Sequence, residues 1–254
     1  MNNIQARVKE HYDFVCEQYN EDQILGVFLY GSQNYNLHTE LSDVDTKAIY
    51  IPTLAELAFE KPISKELHLP NGEHCEVKDI REIIKNFKKQ NINFIELLYT
   101  DYCILNDKYK KLWLETFVVA RECIARYDVH QGIHSMSHQA LHTLRQAVNS
   151  HDGAEVAKKI SNAMRLLYFL ERYVRGESYI KCLVPEGDAH MRILNMKKRT
   201  AALSDVYFCA YEILKTSLEG YAEGDYKFLV DSENKKMVDE LMNKATLEMI
   251  KLNF

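Results

Sequence analysis

Asp43 and Asp45 stand two apart in Ser42-Asp43-Val44-Asp45, at the mouth of the apolar run 48–51. Successive side chains of a strand point to opposite faces, so two carboxylates at this spacing leave from the same face. Held that close they repel one another unless a cation lies between them. Oxygen-only ligands suit a hard divalent ion, and magnesium uses one or two carboxylates together with substrate phosphates. Upstream, the apolar run 24–30 (ILGVFLY) stops at Gly31-Ser32. Gly accepts the backbone angles of a sharp turn, whose N–H groups and Ser hydroxyl can face a phosphate. Either half alone is an ordinary turn or an Asp-rich loop. Together, each at a strand end, they describe a nucleoside triphosphate site with Mg2+ or Mn2+ held by Asp43 and Asp45.

Gly31-Ser32 followed by Ser42-Asp43-x-Asp45 and a strand resembles the signature of the polymerase-beta-type nucleotidyltransferase superfamily. The fuller pattern GSQNYNLHTELSDVDTKAIYIP is similar to a branch of predicted nucleotidyltransferases that includes RNA-repair-associated members. That branch also carries an acidic strand running into a helix, then an Asn-Pro-Asn-like turn and Glu-Leu-Leu; here the segment reads CEVKDIREIIKNFKKQNINFIELLYT. The resemblance covers residues 24–100 and implies a third acidic residue at Glu76. It further implies transfer of a nucleoside monophosphate from an NTP such as ATP to an acceptor hydroxyl, with an RNA or tRNA 3′ end the favoured acceptor and pyrophosphate released. Catalytic and metal candidates are therefore Asp43, Asp45 and Glu76, with Glu76 also helping to deprotonate the acceptor. Gly31, Ser32 and Lys47 are the nucleotide-binding candidates. Pairing of Glu76 with Lys47 or Lys78 is the alternative. Asn36 stands where relatives often have Gly, a substitution Asn tolerates because it visits the left-handed region. Ile92 replaces the usual Pro.

These residues need strands and covering helices. Ile4, Val8, Tyr12, Val15 and Tyr19 recur at helical spacing over 3–20, and a short helical piece is expected over 54–59. Asn71-Gly72 between KELHLP and EHCEV marks a β-hairpin whose second strand carries Glu76. Asp79 and Glu82 form a capping-box-like start for the next helix, whose Ile80, Ile83, Ile84 and Phe87 make an apolar stripe. Beyond Tyr109 the pattern is helical, with helices expected at 109–127, 130–149, 153–175, 202–221 and 233–251. The fold class is thus α+β: a small mixed β-sheet nucleotidyltransferase core over 1–105, then an all-helical part over 106–254.

In that helical part His130, His134, His138 and His142 form a drifting stripe, where neighbours four apart face one another. With no HExxH pattern nearby, a half-buried histidine face is favoured over a transition-metal site. Arg145 and His151 resemble, weakly, the Arg-His pair of a family of helical ribonucleases. Lys158, Lys159, Arg165, Arg172, Arg175, Arg192 and the run Lys197-Lys198-Arg199 supply cations, of which one or two are expected to meet a triphosphate or an acceptor backbone.

With 254 residues, 46% of them hydrophobic, the chain can bury a sizeable core. A net charge of −5 argues against a generally basic, nucleic-acid-coating surface while allowing a local groove. Six scattered cysteines without a CxxC pair fit reduced thiols, and no window approaches the length of a membrane helix, so a cytoplasmic protein without a membrane partner is expected. Partners are an NTP, RNA or tRNA, and a protein partner or second copy. Two alternatives remain: transfer to a protein or small molecule, and a non-catalytic nucleotide-sensing or antitoxin-like protein.

Overall fold

The structure, a computed structural model, describes residues 4–40, 42–198 and 205–253. Arg199, residue 3 of the first expected helix and residues 202–204 of the fourth expected helix of the C-terminal part lie outside the described residues.

A continuous apolar run at β1 (Ile24–Tyr30) and an alternating one at β4 (His74–Asp79) help build a mixed five-stranded sheet with β2 (Asp45–Tyr50), β3 (Ser64–His68) and β5 (Cys103–Leu105), in the order β3-β4-β2-β1-β5. Only β2 and β4 run parallel; the other neighbours are antiparallel. On one face lies α1 (Ile4–Gln18), whose Val8, Tyr12 and Val15 pack with Val27, Leu29, Ala48, Tyr50, Cys75 and Val77. Each such fully buried aliphatic side chain contributes about 1.5–3 kcal/mol. The other face carries Phe28, whose ring lies 5.2 Å from Trp113, which in turn stacks on Phe117 at 4.8 Å.

The helices follow the apolar periodicity closely in places. The second helix, α2 (Leu54–Phe59), begins in a capping box between Thr53 and Glu56. Asp79 caps α3 (Ile80–Lys88) through the Arg81 N–H and also holds the Arg81 guanidinium, whereas Glu82 pairs with Lys85 instead of closing a capping box. Asn91 caps the short α4 (Ile92–Ile95), so this turn is closed by an Asx cap without a proline. The expected helix at 109–127 is three pieces: α5 (Asp107–Leu112), a π-helical stretch Trp113–Val118 and α6 (Arg121–Ala125). No glycine or proline in that stretch accounts for the break.

The chain divides into two units. One comprises Met1–Asn34, Leu41–Tyr127 and Asp231–Phe254; the other comprises Tyr35–Glu40 and Asp128–Val230. The sequence-based boundary at 105/106 therefore falls inside the first unit. The C-terminal helix belongs there because Asn253 accepts from Lys108 Nζ and Tyr109 Oη at 2.8 and 2.6 Å and donates to the Ile51 carbonyl at 3.0 Å. The second unit holds α7 (Val129–Val148), α8 (Gly153–Val174), α9 (Tyr179–Leu183), α10 (Gly187–Lys197) and α11 (Asp205–Glu223), and α12 (Ser232–Lys251) returns to the first. Helices α9 and α10, five and eleven residues long, were not expected. Tyr179 in α9 is buried against Phe169 of α8 at 4.9 Å. Among the described residues no helix is long and apolar enough to cross a membrane.

Candidate active site

Gly31 takes φ +86° immediately after β1, a conformation Gly adopts without the clash a Cβ would bring. The turn closes by a hydrogen bond from the Asn34 N–H to the Gly31 carbonyl at 3.0 Å. It is anchored by Asn34 Nδ2 donating to the Leu29 carbonyl at 2.9 Å and by the Thr100 hydroxyl donating to Asn34 Oδ1 at 2.8 Å. Tyr30 sits opposite Asp45 in the β1–β2 register, which brings the turn against that carboxylate: a Cβ added to Gly31 would lie 3.4 Å from Asp45 Oδ2.

The register sets what else shares this face. Lys47 pairs with Glu76 across the parallel β2–β4 ladder, so Asp45, Lys47, His74, Glu76 and Tyr30 all project to one side. His74 Nε2 lies 3.4 Å from Asp45 Oδ1. Strand β2 begins at Asp45, and Asp43, exposed, precedes it outside any regular element. Glu76 stands on the strand beside Asp45, as the hairpin reading required, but its oxygens are engaged. Oε1 accepts from Lys47 Nζ and Tyr30 Oη, both at 2.8 Å, and Oε2 lies 3.1 Å from Lys78 Nζ. Burial alone would raise its carboxyl, yet the Lys47 charge and these hydrogen bonds outweigh burial and hold it down at about 2. Lys47 is only 2% exposed, with its ammonium 3.4 Å from the Tyr30 ring centroid. Burial lowers the Lys47 ammonium against the opposing pull of Glu76 and Glu96.

Two buried carboxylates each fix one backbone N–H of the site. Glu96, 1% exposed, accepts from the Gly31 N–H at 3.2 Å, which assigns a structural task to the acid of the Glu-Leu-Leu segment. Glu73, 3% exposed, accepts from the Val44 N–H at 2.8 Å and so holds the residue between the two aspartates. Behind the sheet Glu73 also pairs with Arg7, receives Asn71 Nδ2 at 2.9 Å and meets His11 Nε2 at 3.1 Å. An ionised carboxylate only accepts, so the hydrogen-bond network assigns the proton to Nε2 and leaves His11 Nδ1 to accept from the Thr46 hydroxyl at 2.7 Å.

Glu73, His11 and Thr46 were missed as site residues. The available signal was Arg7 and His11 at helical spacing beside the apolar Val8, Tyr12 and Val15, a polar pair that calls for a buried partner. Burial, followed by the nearby Arg7 and His74 charges, pushes His11 down to about 4. A histidine depressed in the folded state contributes stability above its unfolded value of about 6.5 and loses it as pH falls through the folded value. Melting temperature is therefore expected to drop between pH 6.5 and 4, with a shallower drop in His11→Gln; equal slopes would rule out His11 as the cause.

Among the described residues, no three His, Cys, Asp or Glu side chains stand together as a metal cluster. The donor chemistry at Asp43 and Asp45 fits a hard divalent ion, whereas Glu76 spends its charge on two lysines. In the helical unit His130 and His134 have ring centroids 4.4 Å apart, and His130 Nδ1 accepts from the Tyr226 N–H at 3.3 Å. Arg145 and His151 are both exposed.

No family model and no curated protein matches the chain. Among solved structures it is similar to a nucleotidyltransferase-like protein from Exiguobacterium sibiricum 255-15, at 11% identity over 98% of this chain and 91% of that chain. The TM-score is 0.32.

Proposed function

We propose that this protein is a metal-dependent nucleotidyltransferase. The observation that carries the reading is how near the positive-φ Gly31 turn lies to Asp45, whose Oδ2 would be 3.4 Å from a Cβ on Gly31, which sets the turn after β1 beside a candidate metal ligand. The turn receives the triphosphate, with Gly31 shaping it while its own N–H stays on Glu96 and Ser32 facing the phosphates. Asp43 and Asp45 hold Mg2+ or Mn2+, which when bound supplies charge to the reacting phosphate and the departing pyrophosphate. Glu76, on the neighbouring strand and paired with Lys47, Tyr30 and Lys78, would add a third negative charge beside them. A carboxylate held at about 2 is a weak proton acceptor, so Glu76 acts here through its charge and not as the base. The acceptor hydroxyl gives its proton to solvent water as its oxygen attacks the α-phosphorus in line, the bond from the α-phosphorus to the oxygen bridging to the β-phosphate breaks, and pyrophosphate leaves with that oxygen. An RNA or tRNA 3′ end is the favoured acceptor, resting on the sequence resemblance alone, and the cytoplasm the expected compartment.

One observation favours a second reading. The Glu76 oxygens are engaged by Lys47, Tyr30 and Lys78, an arrangement equally suited to a protein that binds a nucleotide without turning it over. Label transfer from each of the four α-labelled NTPs, with magnesium or manganese, to total RNA and to cell extract separates the two. Label in RNA, protein or a small molecule supports the transferase, and the labelled fraction names the acceptor. Nucleotide binding without any transfer supports the second reading. If RNA is the acceptor, its affinity falls linearly with salt on logarithmic axes, and a flat salt series excludes it.

A further inference from the structure

The β2–β4 ladder pairs Thr46 with Cys75 and Lys47 with Glu76, so the residue of β4 that stands beside Asp45 is His74, and Glu76 stands one step further on. Along β4 burial alternates, which sets His74, Glu76 and Lys78 on the open face and Cys75, Val77 and Asp79 on the buried one. His74 Nε2 lies 3.4 Å from Asp45 Oδ1, and the two side chains are 30% and 33% exposed, so both donors are open to a ligand from solvent. Neither ring nitrogen of His74 is hydrogen-bonded among the described residues. A separation of 3.4 Å is beyond the usual range of an N–H···O bond.

That separation has another meaning. Two donors held about 2.1 Å from one divalent ion stand roughly 3.0–3.4 Å apart at octahedral or tetrahedral angles. The two strands fix the pair, since each side chain leaves a paired position of one rigid sheet. The two oxygens of Asp45 divide between neighbours: Oδ1 faces His74, and Oδ2 lies 3.4 Å from where a Cβ on Gly31 would be. Glu76 offers no comparable position, because an ion at its oxygens competes with the ammonium groups of Lys47 and Lys78.

We infer that His74 Nε2 and Asp45 Oδ1 are a nitrogen–oxygen ligand pair for a first-row divalent transition metal ion, taken in preference to Mg2+, with His74 and not Glu76 as the ligand from β4. The use of that ion rests on the proposed nucleotidyl transfer; the ligand pair itself stands on the geometry of β2 and β4. Two protein donors leave the other positions to phosphate oxygens and water, as at sites where a divalent ion meets a triphosphate. Imidazole nitrogen suits transition ions, whereas Mg2+ takes oxygen.

The test is pulsed electron paramagnetic resonance of the full, untagged chain with Mn2+ in a nitrogen-free buffer, with inorganic pyrophosphate to bring phosphate oxygens and no nitrogen. Wild type is expected to bind Mn2+ with the coupling of a directly bound nitrogen. His74→Ala should lose that coupling and bind Mn2+ roughly 10- to 100-fold more weakly, at least the loss that removal of a supporting partner brings. His74→Asp replaces nitrogen by oxygen; it should hold Mn2+ without the coupling and release it to a smaller excess of Mg2+ than wild type does. Wild type that binds no Mn2+, or binds it without nitrogen coupling, overturns the inference, as does coupling that persists in His74→Ala. Equal displacement by Mg2+ from wild type and His74→Asp overturns the ion preference. Coupling that depends on His74 in a protein that transfers no label removes the transferase reading and leaves the ligand pair standing. Transfer that needs Asp43 and Asp45 and is unchanged in His74→Ala, with no coupling in wild type, removes the ligand pair and leaves the transferase.

Discussion

Under the proposed nucleotidyl transfer, Asp45→Ala protein is expected to lose activity by roughly 10³-fold or more, as removal of the proposed metal ligand, worth about 4 kcal/mol of transition-state stabilisation, would produce. The loss should come without unfolding. Asp45 is about one-third exposed, and its contact with His74 at 3.4 Å is the kind of partly solvated pair worth at most about 1 kcal/mol. Asp43 is exposed, so Asp43→Ala should be milder still for stability while costing transfer comparably. The measurement is label transfer alongside urea unfolding of the same preparations. A variant that unfolds at the wild-type midpoint and still transfers label would remove its own aspartate from the chemistry. Transfer and midpoint lost together would instead make them structural, which the solvent exposure of Asp43 argues against.

Much of the site is legible in the residues because local conformation follows local chemistry. Gly31 at φ +86° and Asn36 at φ +57° occupy left-handed backbone, as their residue types allow. The Asn71-Gly72 hairpin delivers β4 beside β2, and so Glu76 beside Lys47. What periodicity does not carry is the identity of long-range partners. A heptad-like stripe says that α12 buries a face, and says nothing of Asn253 reaching back to Tyr109 and Ile51 across most of the chain. The loop 35–40 has no pattern that assigns it to the helical unit; Arg165, His190 and Lys197 do that from far along the sequence. Glu73 is the sharpest case. As the last residue of the short connection 69–73 it resembles a solvated charge, and only the folded chain places Arg7, His11 and the Val44 N–H around it.

That placement makes Glu73→Ala the substitution with the largest expected effect on stability. It leaves the Arg7 cation without its partner and the buried Val44 N–H without an acceptor, and it removes the carboxylate to which His11 donates. Breaking a buried ion pair by removing one member costs about 3–5 kcal/mol, a large share of the roughly 5–15 kcal/mol that holds a domain folded. Glu73→Gln keeps an amide oxygen for the Val44 N–H but not the charge for Arg7, and should fall between alanine and wild type. Urea midpoints at fixed pH measure the series. The two variants also separate two tasks. If Glu73 serves only the fold, transfer per folded molecule is unchanged in both. If the Val44 hydrogen bond sets the approach of Asp43 and Asp45, Glu73→Ala should need more magnesium for half-maximal transfer than Glu73→Gln, even where both are fully folded. The geometry favours the second outcome, because Val44 is the one residue between the two aspartates and its N–H ends on Glu73. An alanine variant within about 0.5 kcal/mol of wild type, the range of ordinary surface substitutions, would show that the network contributes nothing of the kind.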